Sequence, residues 1–493
     1  MAVANRMLGA APVAAAAILT GALVAVLPGA GLLLVGACVG LCLLIALIRF
    51  RAGAGDERTW HPIVMVLTVS AVVTITWNGF PPSSVSAPDL ILLVAVVAVG
   101  FCWLQGRIQV PLPGWLVGAA AILFASQLLN QFWFVPDPPQ DPPPSFTPPG
   151  PALLTLARFE LAFLVVPIVI GAVASSWRRV NLLTNLWLLS ATISAAIATF
   201  DGFTGAGIGT SITGVNGGGR ATGLAIHPNT FALTCAMTLP IALLRAAQLR
   251  GRWRIAAIAS AGLLASGVLV SGSRVGLISL VLATGLTALL IPKLRTRIVV
   301  IGLTGVDLMT LVAPTNNNPL LEGIDRLSGG GDSTLANGQR SDQFHESLTI
   351  ALDHPVTGIG FTVVADAHSL PVQIWETAGF LGIVALALYS AGVLRTGWRL
   401  YREQSLPRGS PQLAGVLTIS FAVWLIAGLL QNEIADRYIY VPVGLLLGLG
   451  LAAKAAIRSE RDRSEPARPP APPPRELPPA RVPQRAERVP VAG

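Results

Sequence analysis

Residues 340–382 read RSDQFHESLTIALDHPVTGIGFTVVADAHSLPVQIWETAGFLG, and inside them opens an apolar run that continues from Ile374 to Val393. The chain passes from a stretch holding carboxylates, an arginine and the histidines His345, His354 and His368 into one whose single charge is Glu376. A run of about 20 apolar residues is what a helix needs to cross about 30 Å of hydrocarbon. Hydrocarbon solvates neither charge nor unpaired backbone, so the chemistry-bearing residues of a spanning protein gather between its spans.

The same alternation fills the chain. Of its 493 residues 53% are hydrophobic and only 12% charged, and the mean hydropathy is +0.68. A soluble domain carries about twice that charged fraction. The expected fold class is all-α: a polytopic helical membrane protein of about 12–14 transmembrane helices, with a long extracytoplasmic loop containing short helices. The spans fall near 8–27, 30–48, 62–79, 88–105, 114–133, 155–176, 181–199, 229–247, 255–271, 275–292, 298–313, 371–393, 412–430 and 438–456. Residues 1–150 form an N-terminal set of helices, 151–456 a membrane core with its long loop at 314–370, and 457–493 a disordered Pro/Arg-rich cytoplasmic tail.

Net charge is +9, which raises the question of a nucleic-acid partner. The distribution answers it. Arg49, Arg51 and Arg58, then Arg107, Arg178 and Arg179, Arg245 to Arg254, Lys293 to Arg297, and Arg395 to Arg402 occupy every second connector. That is the positive-inside pattern, so the charge orients the spans and both termini lie inside. Cys38, Cys42, Cys102 and Cys235 all sit within apolar runs and read as small packing residues.

The opposite connectors are polar but poor in basic residues. Phe134 to Pro151 (FVPDPPQDPPPSFTPPGP) is too rich in proline for a helix and reads as a stiff extended spacer. Asp201 to Asn229 is Gly-rich and ends in GGGRATGLAIHPN. In the long loop Arg340, Phe344, Leu348 and Ala351 recur at helical spacing, which predicts a short amphipathic helix on the membrane surface. DHPVTGIGF ends that helix, with Gly358 and Gly360 permitting a tight turn back toward the next span.

Arginines are scarce on this side, which makes Arg220, Arg274 and Arg340 informative. A guanidinium is permanently charged and its planar fork matches phosphate, so the three together suggest a diphosphate site. His368 stands at the mouth of a span and is the natural proton acceptor, since an imidazole with a pKa near 6.5 is neutral at ordinary pH. His227, His345 and His354 read as hydrogen-bonded or structural residues. No metal is expected, because the sequence has neither a His/carboxylate cluster at i, i+4 spacing nor an Asp-x-Asp pair.

RATGLAIHPNTFAL (220–233), SGSRVGL (271–277), DHPVTGIGF (353–361) and AHSLPVQIWETAGFLG (367–382) resemble the O-antigen ligase and O-antigen polymerase superfamily over about residues 150–455. The resemblance implies a metal-independent, inverting membrane glycosyltransferase with no cofactor. Its donor would be a polyprenyl-diphosphate-linked glycan, its acceptor a glycan, lipid or protein, and its active site extracytoplasmic in the plasma membrane. It implies His368, Arg340 and Arg220 as catalytic residues, with Arg274, Ser273, Asn229 and Glu376 contacting diphosphate or glycan. Ser369 departs from the asparagine the family usually places after the histidine. The competing expectation is a polytopic secondary transporter or lipid-linked glycan flippase, which should carry charge midway along several spans.

Overall fold

A computed structural model describes residues 60–77, 87–133, 156–298, 333–361 and 367–464, apart from short gaps at 157–158, 216–219, 297, 404–405, 408, 433 and 435. Expected spans 8–27, 30–48 and 298–313, the Pro-rich segment and most of the tail lie outside the described residues. Within those residues all regular structure is helical. Hydrocarbon dictates this outcome, because a helix satisfies its backbone within one segment.

In chain order the helices are α1 Trp60–Thr74, α2 Ala87–Leu104, α3 Gly114–Trp133, α4 Val166–Val173, α5 Trp177–Thr204, α6 Ile208–Thr213 and α7 Pro228–Gln248. They continue with α8 Arg252–Val270, α9 Arg274–Leu290, α10 Ser333–Asp353, α11 Leu370–Arg402, α12 Ser410–Ala427 and α13 Val441–Ser464. Six segments are long and apolar enough to cross a membrane: α5, α7, α8, α11, α12 and Arg437–Arg458. Shorter apolar helices stand at five further expected spans: Val64–Thr74, Ile91–Leu104, Gly114–Asn130, Leu161–Val173 and Arg274–Leu290. The chain is an all-α polytopic membrane protein. Helix α13 runs on to Ser464, into the first residues of the segment expected as a tail.

α7 is the central helix, buried almost throughout. It packs against α8, α9, α12 and α5. Beside it, α11 lies against α3 and α12, and α13 against α4. Small residues allow that last approach: a Cβ on Gly448 would stand 2.4 Å from the Cβ of Ala174. Apolar surface gains nothing by leaving lipid, so close contact of this kind, through dispersion, is what holds such helices together. An aromatic cluster fills the middle, with the rings of Phe163 and Tyr389 centred 4.0 Å apart and Tyr440 at 5.9 Å from Phe163.

The bundle has two chemically distinct ends. One gathers the starts of α7, α9, α11 and α13 and the C-termini of α8 and α12, as backbone contacts from Ala221 to Val270 and from Leu370 to Gly428 show. The other collects the connectors bearing Arg107, Arg178, Arg250 and Arg402.

Candidate functional site

Arg220 begins the site. It precedes a loop that Ser194 pins from below, its hydroxyl accepting the Leu224 N–H at 2.9 Å. Half-buried, Arg220 donates from Nε to the Ser271 carbonyl at 2.8 Å and from Nη2 to Asn229 Oδ1 at 2.9 Å. One guanidinium thus ties the start of α7 to the turn between α8 and α9. The planar fork suits two acceptors fixed in different elements. Asn229 holds Arg220, while Arg274 opens α9 just past that turn.

Ser273 is buried and serves as the N-cap of α9, its Oγ accepting the Gly276 N–H at 3.0 Å. That is the ordinary use of a serine in front of a helix.

His227 holds a position that sequence reasoning passed over as merely structural. It is the N-cap of α7, with Pro228 at the first helical position, and its Nδ1 accepts the Asn229 N–H at 3.1 Å. Accepting at Nδ1 leaves the neutral ring's proton on Nε2. Its edge is exposed, yet its surroundings strip enough water to push its pKa below the ordinary value. The charges of Arg220 and Arg340, and of His368 when it is protonated, push the same way, and Asp436 opposes them. Four groups from four separate parts of the chain therefore lie within electrostatic reach of one imidazole. Asp436 stands there with Thr230, whose hydroxyl reaches its Oδ2 at 3.4 Å. The signal that could have found His227 was His-Pro-Asn itself, a capping residue followed by proline.

His368 has φ 47, the one positive-φ non-glycine residue among those described. Holding an L-residue there costs on the order of 1–3 kcal/mol and persists only where the surroundings enforce it. The enforcement is visible on both sides. Ala367 donates its N–H to Gln373 Oε1 at 3.0 Å, Leu370 donates to the Gly428 carbonyl at 2.6 Å, and the Ser369 carbonyl accepts the Gln373 N–H at 2.9 Å. Gln373 is buried and is the hub. Its Oε1 also accepts from Asn432 at 3.1 Å, and its Nε2 donates to Glu376 Oε2 at 3.1 Å. Glu376 is fully buried, and its Oε2 is held by Gln373. Ser369 takes the N-cap position of α11 without a side-chain cap bond.

The turn through Gly358 and Gly360 docks on a break in α11. Gly379 has φ 62 and ψ −159, which interrupts the expected continuous span. Across the break Ile359 and Gly360 donate to the carbonyls of Glu376 and Thr377 at 2.8 and 2.9 Å, and Phe380 donates to Pro355 at 2.8 Å. A Cβ on Gly379 would lie 2.2 Å from the Val356 carbonyl, and one on Gly358 2.5 Å from the Glu376 oxygen. The His-Pro-x-x-Gly-x-Gly stretch and the Glu-x-x-Gly stretch are thus two strands of one backbone knot. Polar residues of α3 clamp it: Ser126 donates to the carbonyls of Thr357 and Ala378, Asn130 donates to Thr357, and Gln127 Oε1 accepts the Phe361 N–H. Nothing in the sequence of α3 marked these residues, because their partners are far along the chain.

Helix α10 matches the predicted amphipathic helix. Phe344 and Leu348 are half-buried and Ala351 is buried, against α11, and Arg340 lies on the same stripe. Among the described residues no group of three or more His, Cys, Asp or Glu is placed to hold a metal.

The family model described as O-antigen ligase matches residues 258–387. That stretch covers Arg274, Arg340, His368 and both strands of the knot, and leaves Arg220, His227 and Asp436 outside it. No curated protein matches the chain.

Proposed function

We propose, from the match of residues 258–387 to the family model described as O-antigen ligase, that the chain transfers glycan from a polyprenyl-diphosphate donor to a hydroxyl acceptor, without a metal and with inversion, on the extracytoplasmic side of the plasma membrane. The observation that carries this is the convergence of Arg220, Arg340, His368 and Asp436 around His227 at the arginine-poor end of the bundle. The basic connectors at the other end mark the inside by the usual charge bias.

The proposed step is a single displacement. Neutral His368 takes the proton of the acceptor hydroxyl, whose oxygen attacks the anomeric carbon. The bond from that carbon to the diphosphate oxygen breaks, and its electron pair leaves with the diphosphate. Arg220 and Arg340 meet the charge that develops there, and electrostatic stabilisation of this kind is generally the largest contribution to catalysis. Since Asn229 and Ser271 already orient Arg220, little reorganisation is needed as charge builds. His227 keeps its Nδ1 in the cap, so it presents a donor at Nε2; the role of base falls to His368. Arg274 contributes positive charge at the start of α9, while Ser273, Asn229 and Glu376 act by positioning.

The test measures donor binding and transfer side by side. His368→Ala should still bind donor while transfer falls by about 10²–10⁴. Arg340→Ala and Arg220→Ala should lose both, with lysine restoring only part because it lacks the planar fork. Near wild-type transfer by a stably inserted His368→Ala would refute the assignment.

A further inference from the structure

At the arginine-rich end, away from the site described above, a cavity of about 240 Å³ opens between α1, the segment after α2, the end of α4, the start of α5 and the middle of α13. Arg107 and Arg179 both line it, with Gln109 and Ser175 as further polar groups and Met65 and Leu451 among its apolar walls. Among the described residues that line it there is no carboxylate. Arg107 Nη1 is buried and makes no hydrogen bond to any described residue. Among the described residues Arg179 reaches only as far as its own helix start, Nη1 donating to Ser175 Oγ at 3.4 Å.

Two like charges facing one cavity repel each other, and a buried guanidinium nitrogen without an acceptor costs about 1–3 kcal/mol or more. Such an arrangement is relieved by an anion, and guanidinium groups select planar or tetrahedral oxyanions. The volume corresponds to several waters at about 30 Å³ each, so a phosphate group fits with room for attached glycerol oxygens. The apolar walls then meet the beginning of an acyl chain.

We propose that this cavity binds the phosphate head group of an anionic membrane phospholipid, held by Arg107 and Arg179. A lipid seated there joins α1, α4, α5 and α13 at the end of the bundle opposite the glycan site. The surrounding surface favours its capture: Arg178, Lys454 and Arg458 are exposed at the same end, and basic residues near an anionic leaflet contribute about 1 kcal/mol each. The proposal is independent of the glycosyl-transfer mechanism.

The experiment uses the full chain purified in a neutral detergent. Native mass spectrometry of the wild-type protein should show retained phosphatidylglycerol in preference to phosphatidylcholine. Titrating phosphatidylglycerol should raise the thermal midpoint of the wild type. In Arg107→Gln/Arg179→Gln the apparent affinity should fall by about tenfold or more for each arginine removed. An Arg250→Gln/Arg252→Gln control removes the same charge from exposed positions and should respond as the wild type does. Inorganic phosphate, tested alone, should produce no comparable shift. Equal responses from all three proteins, equal loss in both double variants, or the full effect from inorganic phosphate would each overturn the lipid assignment. If the cavity variant does not fold, the wild-type mass spectrum decides: retention of no lipid, or of both lipids equally, rejects the proposal.

Discussion

Replacing Gly379 with alanine tests whether the backbone knot is one mechanical unit. At φ 62 and ψ −159, a conformation left essentially to glycine, an L-residue costs about 1–3 kcal/mol. The added Cβ would meet the Val356 carbonyl carbon and oxygen at 2.2 Å, and these are main-chain atoms that cannot swing aside. The turn must therefore lift, breaking the bonds from Ile359, Gly360 and Phe380 that cross the break. At about 1 kcal/mol each these add about 3 kcal/mol, for a total of about 4–6 kcal/mol. Chemical unfolding in detergent micelles measures the loss, with glycosyl transfer followed in parallel. Gly285→Ala is the control: it lies inside α9 with nothing within 4 Å of its added Cβ, and should stay within about 1 kcal/mol of wild type. Gly358→Ala should resemble Gly379→Ala, and the double variant should cost less than the two together, because both open the same knot. If Gly379→Ala matches Gly285→Ala in stability and transfer, the knot is not a structural element and the reasoning fails.

Four other outcomes are expected. Gln373→Leu removes the acceptor for the Ala367 N–H and the donor to Glu376, so maximal transfer should fall while donor binding holds; equal loss of both would deny it a positioning role. His227 has a lowered pKa in the folded chain, so the unfolded chain takes up its proton first on acidification. Stability from this group is complete above the ordinary value near 6.5 and declines as pH drops below it; His227→Asn, which keeps a capping acceptor, should flatten that decline in pH-dependent unfolding curves. Transfer in purified membranes should persist in excess chelator, and complete loss restored by Mg²⁺ would reject metal independence. In a cysteine-free background, an impermeant thiol reagent applied to intact cells should label a cysteine at position 340 and spare one at 250; the reverse would invert the topology and remove the proposed mechanism with it.

Fold class was legible along the chain for one physical reason. Burying charge in hydrocarbon is so unfavourable that hydropathy alone separates spans from loops, and basic connectors alternate with others. That local rule was enough to place Arg220, Arg340 and His368 toward a common end, and glycine spacing was enough to foresee the turn at 358–360. It could not show that His227 lies within reach of Arg340 and Asp436, since electrostatic proximity depends on how α7, α10 and the segment before α13 pack. It read residues 371–393 as continuous, because a glycine in an apolar run looks helical until a partner backbone arrives to pair with the break at Gly379. The clamp from Ser126, Gln127 and Asn130 was equally silent: a polar residue on a span announces a partner without naming it. Which segments enter hydrocarbon was decided by the sequence; which side chains are buried and which buried groups meet was decided only by the tertiary structure, because hydrogen bonds and charges act across distances in space that the order of residues does not encode.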